Sequence, residues 1–408
     1  MRLTESKSQV DSRKIVIFGA GKIGRSFIGQ LFGRSGYRIV FVDVDPVIIS
    51  LLNTRTNYRV IIKGDKEEEI IVRNVQAVSA LDRPAVIDAV AGAGILAVSV
   101  GKNALEKVIP AIAQGLIRRF NNDPDKPLDI ILAENMRSAA EFTREHLLKN
   151  LYPGFPVDSY VGLIETSIGK MVPIIPLAEL EKDPLVVFAE PYNTLILDGK
   201  GFKSKVPDVE GLAPKDNIKA WVDRKAFIHN LGHATAAYYG FMLHPEAVYM
   251  FEILDDPSVL KFTREVMIQS AEILLKTYSS DFTFNDLELH IDDLIKRFMN
   301  RALQDTIFRV GNDLPRKLGA DDRFMGSIHL ALQYDMPYDL IIRAMSNGFL
   351  FRARDEEGNS SSSDIAFLGS LSMNFDKTLT EVLMFDPIAD QTIINKLKEY
   401  YLLNNQKI

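Results

Sequence analysis

One short segment near the start of the chain constrains its fold more than any other. Residues 14–18 (Lys-Ile-Val-Ile-Phe) form a nearly continuous apolar run, which is typical of a strand buried on both faces. The run leads into Gly19-Ala-Gly21-Lys-Ile-Gly24, after which apolar residues recur at helical spacing over residues 25–35. A second apolar run, residues 38–42, stops at Asp43. This order of strand, glycine turn, helix and strand predicts a βαβ unit.

The glycine turn has the spacing G-x-G-x-x-G, which in this context indicates a dinucleotide site. Gly19 permits a tight turn, Gly21 lets the backbone approach a pyrophosphate, and Gly24 lets the helix pack closely on the strand. The N-terminus of the helix offers free N–H groups to the phosphates. Asp43 can accept hydrogen bonds from both ribose hydroxyls and would repel a 2′-phosphate, so NAD is favoured over NADP. The expected cofactor contacts are Gly19, Ala20, Gly21, Lys22, Ile23, Gly24, Asp43 and Gly101.

Two alternatives stand beside this interpretation. A glycine turn can join a strand to a helix without binding a ligand. FAD-binding domains also carry the same fingerprint. The coincidence of strand, turn, helix and acid favours NAD.

Strands and helices continue to alternate through the first half of the chain. Apolar runs predict strands at 58–62, 69–72, 95–100 and 128–133, and helical spacing predicts helices at 46–53 and 103–119. This order is typical of a mainly parallel, doubly wound sheet. Beyond about residue 200, helical periodicity dominates. We therefore predict an α/β fold with an N-terminal doubly wound, Rossmann-type domain (residues 14–200) and a mainly α-helical C-terminal domain (residues 201–408).

One C-terminal segment shows the helical periodicity clearly. Leu287, Ile291 and Leu294 fall on one apolar stripe within residues 285–302. Asn285 and Glu288 have the spacing of a capping box, although Asn stands where Ser or Thr is usual. We expect Asn285 to cap this helix.

Size and composition limit the possible functions. The chain has 408 residues, 47% of them hydrophobic, which is enough for two cores. A net charge of -6 leaves no basic excess for nucleic acid, and the absence of cysteine excludes disulfides and cysteine-based zinc sites. Residues 1–13 lack the apolar region of a signal peptide, and no apolar run approaches a membrane span. We expect a cytoplasmic protein that binds neither nucleic acid nor membrane; its oligomeric state stays open.

Three known ways of activating an alcohol for hydride transfer can be compared with the residues present. His229 and His233 have the i, i+4 spacing of a zinc pair, but no third ligand is apparent, so we expect no metal. No tyrosine is followed four residues later by a lysine, which excludes a Tyr-x-x-x-Lys centre. A lysine base remains, and Lys225 is the candidate.

Lys225, Asn230 and His233 fall within an arc of about 140° on an α-helix, so they can line one cavity. Burial beside a positively charged nicotinamide would lower the pKa of Lys225, and the neutral amine could then take a hydroxyl proton. The amides of Asn230 and of Asn135, which follows the strand at 128–133, could hold the developing alkoxide. Spacing alone favours a plainer alternative, in which Lys225 is a solvated charge, His233 a core histidine and Asn135 a turn residue.

Residues 225–240 contain the pattern Lys-x4-Asn-x2-His and resemble the signature of the polyol-specific long-chain dehydrogenases. Similarity extends from about residue 14 to about residue 352, and its other elements are residues 18–29, 134–136, 309–311, 316–318 and 322–323. The resemblance implies that Lys225 is the general base, that Asn135 and Asn230 steady the oxyanion, and that His233 orients the substrate. It further implies a metal-independent, NAD-dependent dehydrogenase for a sugar alcohol.

The same resemblance implies a phosphorylated substrate, mannitol 1-phosphate, converted reversibly to fructose 6-phosphate. Guanidinium groups bind phosphate oxygens in a bidentate manner. The expected substrate contacts are Arg309, Arg316, Lys317 and Arg323. On charge alone, these cations would more often form ordinary surface salt bridges, here with Asp313, Asp321 and Asp322.

The sequence departs from the family at one place. Gly169-Lys170 stands where relatives carry Asp-Arg, which removes a candidate substrate contact, and Glu165 is close enough along the strand to compensate. Free mannitol and a hexuronate such as tagaturonate therefore stay open as substrates. A non-catalytic NAD sensor is a further alternative, although a sensor has no need of Lys225, Asn230 and His233.

Overall fold

The structure is a computed structural model that describes residues 10–134 and 136–405. The strands lie in its first half: β1 (Lys14–Phe18), β2 (Arg38–Asp43), β3 (Asn57–Ile62), β4 (Glu68–Arg73), β5 (Val75–Ser79), β6 (Ile95–Val98), β7 (Leu128–Leu132), β8 (Val161–Ser167), β9 (Val187–Ala189), β10 (Leu195–Asp198) and β11 (Leu212–Lys215). They form one sheet in the order β11-β10-β8-β7-β6-β1-β2-β5 and a smaller one in the order β4-β3-β9. The large sheet is parallel except where β10 meets β8.

Helices cover the large sheet and make up most of the second half. The helices that begin before residue 225 are a π-helical turn (Gly24–Gly29), α1 (Gln30–Arg34), α2 (Pro46–Arg55), α3 (Arg83–Ala91), α4 (Lys102–Asn122), α5 (Ala139–Asn150), α6 (Val157–Tyr160), α7 (Leu177–Lys182) and α8 (Ile218–Arg224). A second π-helical turn (Lys225–Asn230) follows, then α9 (Leu231–Leu243), α10 (Met250–Leu254), α11 (Pro257–Thr277), α12 (Phe284–Phe298), a 3-10 turn (Arg301–Leu303), α13 (Ile307–Gly311), α14 (Leu314–Lys317), α15 (Arg323–Gln333), α16 (Asp339–Gly348), α17 (Ser362–Met373), α18 (Phe375–Glu381) and α19 (Gln391–Asn405). Within the part of the chain that is described, none of these is both long and apolar enough to span a bilayer.

The central strand β1 is buried on both faces, as its apolar run predicted. Ile15 and Ile17 belong to one hydrophobic cluster, and Val16 and Phe18 belong to another on the opposite face. Successive side chains of a strand point to opposite faces, so one five-residue strand supplies both cores. This confirms the prediction of a doubly wound α/β domain followed by a helical region.

Two strand assignments need correction. The predicted strands at 58–62 and 69–72 exist as β3 and β4, but they pair antiparallel in the small sheet instead of extending the large one. Strand β5 was missed, although it is the edge strand beside β2. It follows β4 after the single residue Asn74, which has a φ of 60°. Asn tolerates this left-handed conformation, so the chain turns there without the glycine or proline that usually marks a turn.

The chain divides into two compact units later than the sequence suggested. The first unit ends at Val222 and the second begins at Asp223, within α8. The predicted boundary at residue 200 is too early because β11 pairs with β10, so residues up to 215 belong to the large sheet. Gly199, Gly201 and Gly211 lie in bends and turns inside the first unit, and Pro214 lies in β11 itself.

The capping residue of α12 also differs from the prediction. Thr283 caps the helix: its Oγ1 accepts a hydrogen bond from Asp286 N at 3.2 Å, and the Asp286 carboxylate accepts one from Thr283 N at 3.0 Å. The capping box is therefore formed by Thr283 and Asp286, two residues before the predicted Asn285 and Glu288, and it satisfies the backbone N–H groups of Thr283 and Asp286. Asn285 instead lies within the first turn of the helix.

Gly115 in α4 provides a test of this packing. A Cβ atom at this position would lie 2.4 Å from Cγ1 of Val90 on α3, a stiff β-branched side chain. We expect Gly115→Ala to lower the free energy of unfolding by about 1–3 kcal/mol, measured by urea denaturation. Gly369→Ala in α17 is the matched control, because a Cβ there meets no atom within 4 Å. Equal stabilities for the two variants would contradict the packing.

Candidate active site

The turn at the end of β1 is packed too closely for a side chain at Gly19 and Gly24, whereas a Cβ on Gly21 would meet no atom within 4 Å. Gly19 has a φ of 94°, and a Cβ on it would lie 2.6 Å from Ser99 O. A Cβ on Gly24 would lie 2.0 Å from Gly19 O. The first turn of the following helix is therefore held directly against the end of β1. This is the close helix–strand contact that a dinucleotide-binding turn requires.

Asp43 joins the end of β2 to this turn. Its Oδ2 accepts a hydrogen bond from Ala20 N at 2.6 Å, and its Oδ1 accepts from Val44 N at 2.8 Å and from Asp45 N at 3.0 Å. An ionised carboxylate has about four acceptor positions, so it can still accept bonds from ribose hydroxyls. Asp43 thus orders the turn in addition to its expected contact with the cofactor.

A cavity of about 460 Å³ opens beside Asp43 and lies within the first unit. This volume is within the range of cofactor pockets, and apolar side chains dominate its wall. Its lining residues include Gly19, Gly21, Val42, Asp43, Val44, Leu81, Ser99, Val100, Lys107, Val108 and Ala111. The cavity would suit an adenosine group: its flat base would pack between apolar side chains, and its ribose would lie near Asp43. Val44, the residue after the acid, is 67% exposed and offers no cation for a 2′-phosphate.

The structure also locates the other residues predicted to contact the cofactor. Lys22 is exposed and Ile23 is half-buried, and neither lines this cavity. Gly101 has a φ of 85° and precedes α4. Its N–H and that of Val100 donate to Glu134 Oε1 at 3.0 and 2.8 Å. No local pattern indicated this role of Glu134, because the contact joins two strand ends 34 residues apart.

The candidate base Lys225 opens a π-helical turn. The arc calculated for an ideal α-helix is therefore wrong for residues 225–230. A π-helical turn closes i→i+5 hydrogen bonds, which brings residues five apart, such as Lys225 and Asn230, closer to one face than an α-helix would. Such turns occur frequently at functional sites.

Burial lowers the pKa of Lys225 to about 8, and the nearby guanidinium groups of Arg323 and Arg316 add to the effect. Asp322 opposes the change but does not cancel it. At neutral pH, a useful fraction of this amine is therefore unprotonated, which a general base requires. The solvated-charge alternative for Lys225 does not fit this environment.

The cations expected to bind substrate are already engaged with protein groups. Arg323 Nε donates to Asp322 Oδ1 at 2.8 Å, and its Nη1 donates to the backbone oxygen of Asn230 at 3.2 Å. Arg316 pairs with Asp313 and lies 3.5 Å from the Asp322 carboxylate. Lys317 and Arg309 have partners as well, which are Val310 O at 2.7 Å and the Asp305 carboxylate at 2.5 Å. Arg323 therefore connects the cationic group to the turn that carries Lys225 and Asn230.

His229 and His233 both contact the same aromatic ring, that of Phe298. Their ring centroids are 5.5 and 4.3 Å from that of Phe298 and 6.2 Å from each other. His233 Nε2 lies 3.4 Å from Asp305 Oδ2. In residues 10–134 and 136–405, no cluster of three potential metal ligands is present.

Two further predictions concern the first unit. Asn135 lies outside the described residues, so its proposed contact with the oxyanion stays a prediction. Lys170, at the departure from the family pattern, is buried and donates to Tyr192 O at 2.8 Å and to Asn193 Oδ1 at 2.9 Å. Glu165 Oε1 accepts from Ala140 N at 3.1 Å, at the start of α5. The compensating substrate contact of Glu165 stays a prediction.

A mainly parallel sheet with a glycine turn and an acid after its second strand defines a Rossmann-type dinucleotide-binding unit, here followed by a helical unit with a half-buried lysine. The family model described as the mannitol dehydrogenase Rossmann domain matches residues 13–211, and the one described as the mannitol dehydrogenase C-terminal domain matches residues 217–400. The chain belongs to the mannitol dehydrogenase family.

One solved structure shares the fold of the whole chain. D-sorbitol dehydrogenase in its substrate-free form has a TM-score of 0.79 at 16% sequence identity, covering 98% of this chain and 94% of its own. D-mandelate dehydrogenase with NADH reaches a TM-score of 0.46 at 11% identity, covering 83% of this chain and 98% of its own. A 2-dehydropantoate 2-reductase from Geobacter metallireducens has a TM-score of 0.47 at 12% sequence identity, covering 82% of this chain and 98% of its own. The family and the fit of the first unit together make NAD the cofactor.

The cofactor assignment can be tested at Asp43. Asp43→Asn keeps an oxygen acceptor in place but removes the negative charge that would repel a 2′-phosphate. We expect weaker NAD binding and a rise of about 10–100-fold in the ratio of kcat/KM with NADP to kcat/KM with NAD. Asp45→Asn, at an exposed helix cap nearby, is the matched control. An unchanged cofactor ratio in Asp43→Asn would exclude the ribose contact.

Proposed function

We propose that this protein oxidises a hydroxyl group of a sugar alcohol with NAD, without a metal ion, and that Lys225 is the general base. The observation that carries the proposal is the half-buried lysine Lys225 on a π-helical turn, with its pKa lowered to about 8. Membership of the mannitol dehydrogenase family and the expected NAD site of the first unit support NAD as the hydride acceptor.

Each proposed catalytic residue has a distinct task. Lys225 Nζ, when neutral, takes the proton of the reacting hydroxyl. The side-chain amides of Asn230 and Asn135 donate hydrogen bonds to the oxygen as its negative charge develops. His233 contacts a neighbouring hydroxyl and orients the substrate. NAD, when bound, supplies the acceptor for the hydride that leaves the carbon.

The substrate we propose is mannitol 1-phosphate, which is oxidised reversibly to fructose 6-phosphate. Arg316, Lys317 and Arg323 follow one another closely in the chain, and Arg316 and Arg323 are near enough to Lys225 to lower its pKa. A phosphate held by these groups would leave the sugar chain within reach of the amine. Arg309, Arg316, Lys317 and Arg323 are thus the proposed phosphate contacts.

A second candidate is the same reaction on an unphosphorylated polyol or on a hexuronate. It is favoured by the carboxylates that already pair with these cations: Asp305 with Arg309, Asp313 with Arg316, and Asp322 with Arg323. A dianionic phosphate would have to compete with these carboxylates, as would the single carboxylate of a hexuronate to a lesser extent, whereas the neutral hydroxyl groups of a polyol would not. The two candidates differ only in the group bound at the far end of the substrate.

A substrate panel followed by NADH absorbance distinguishes these candidates. For the phosphate proposal, we expect kcat/KM with fructose 6-phosphate to exceed that with fructose by at least about 100-fold, the value of one or two charge-assisted hydrogen bonds. Equal or better turnover of free fructose, or of a hexuronate, would exclude mannitol 1-phosphate. NAD binding without turnover of any panel member would indicate a sensor.

Substitution of Lys225 tests the base. Lys225→Ala should lower kcat/KM for polyol oxidation by about 10²–10⁴-fold and leave the Kd for NAD unchanged. Lys219→Ala is the control, because this lysine is exposed on the preceding helix.

In the parent protein, protonation below the pKa of Lys225 inactivates the base, so kcat/KM for oxidation should rise with pH and level off above about 8. A flat profile between pH 6 and 9 would contradict the assignment.

A further inference from the structure

A buried carboxylate faces the proposed substrate-orienting histidine. Asp305 is 6% exposed on its side chain, and its Oδ2 lies 3.4 Å from His233 Nε2. Nε2 is itself buried and forms no conventional hydrogen bond within residues 10–134 and 136–405, so this carboxylate is the acceptor that it faces. The 13% of the His233 side chain that stays accessible therefore belongs to other atoms of the side chain.

The carboxylate is fixed from two directions. Arg309 Nε donates to Oδ1 at 2.5 Å, and Arg309 Nη2 lies 2.5 Å from Oδ2. The backbone oxygen of Asp305 accepts from Met250 N at 2.9 Å, and the next residue, Thr306, pairs with Tyr249 as an isolated β-bridge. Asp305 therefore cannot easily turn away from His233.

The ring of His233 is fixed as well. It stacks on Phe298 with a centroid distance of 4.3 Å and an interplanar angle of 4°. This stacking determines the plane of the imidazole, and Nε2 of that ring lies 3.4 Å from Asp305 Oδ2. What stays free is the position of the proton on the two ring nitrogens, because a neutral imidazole carries it on only one of them.

We propose that Asp305 is a positioning residue that keeps the proton of His233 on Nε2, so that Nδ1 is left as a hydrogen-bond acceptor for a substrate hydroxyl. The hydrogen bond that one ring nitrogen makes determines the tautomer of the other. The part that concerns the hydroxyl rests on the proposed function. The tautomer itself does not, since it is a property of this chain.

The charge states agree with this role. Burial lowers the pKa of His233, so the ring is neutral near pH 7. Burial alone would raise the pKa of Asp305, but the contacts with His233 and Arg309 outweigh it and bring the pKa to about 2. A neutral imidazole beside an ionised carboxylate presents its N–H to the carboxylate.

Asp305→Asn is the decisive variant because it preserves the shape of the side chain. Arg309 Nε needs an acceptor, so the amide oxygen is expected to stay with Arg309, and the amide N–H group then faces His233. Nε2 would become the acceptor, and the proton would move to Nδ1. Asp293→Asn is the matched control, since Asp293 also pairs with an arginine four residues later, on α12, and is 52% exposed.

The tautomer can be measured directly by ¹⁵N NMR of the full-length chain labelled at histidine. His233→Gln assigns the signals of His233 among the six histidines. We expect the parent protein and Asp293→Asn to carry the proton on Nε2, and Asp305→Asn to carry it on Nδ1. A proton on Nδ1 in the parent protein would overturn the inference even if Asp305→Asn did not fold.

Kinetics give the second measurement. In Asp305→Asn we expect kcat/KM for the polyol to fall about 10–100-fold, while the Kd for NAD is unchanged. Kinetics equal to those of Asp293→Asn, together with an unchanged tautomer, would mean that Asp305 only pairs with Arg309. If no polyol is turned over by the parent protein, the proposed function fails, and the NMR result alone decides the role of Asp305.

Discussion

The contact between Gly24 and the backbone of Gly19 is the constraint on which the first unit depends. The first helical turn is held against the end of β1 because neither residue carries a side chain. Asp43 then ties the end of β2 to the same turn through Ala20 N. Two strands and one helix are thereby fixed around a single point. The cavity expected to receive the adenosine group lies beside this point.

In the second unit, pairs of arginines and carboxylates have a comparable organising role. Arginines gather around Lys225, and each of Arg309, Arg316 and Arg323 contacts a carboxylate. The guanidinium groups still lower the pKa of the lysine, since Arg323 and Arg316 act on it more strongly than Asp322 compensates. The amine is therefore kept partly neutral by burial and by its neighbours together. The same set of charges thus pairs within the helical unit and lowers the pKa of the proposed base, Lys225.

Parts of the site could be predicted because they depend on neighbours in the chain. The glycine turn, Asp43 and the pattern from Lys225 to His233 are all local. Glu134 and Asp305 could not be predicted, because their partners are distant in sequence and an isolated acid has no spacing to interpret. The capping residue of α12 was misplaced by two positions because Thr283-x-x-Asp286 and Asn285-x-x-Glu288 overlap.

The sequence by itself determined the fold class, the buried central strand and the dinucleotide turn, because periodicity and glycine spacing express backbone geometry directly. Tertiary structure decided which strands share a sheet, since β3 and β4 were predicted as strands in the same way as those of the large sheet but pair with each other. It also decided the charge state of Lys225. Burial and the surrounding arginines determine that pKa, and neither can be read from the residues adjacent to it.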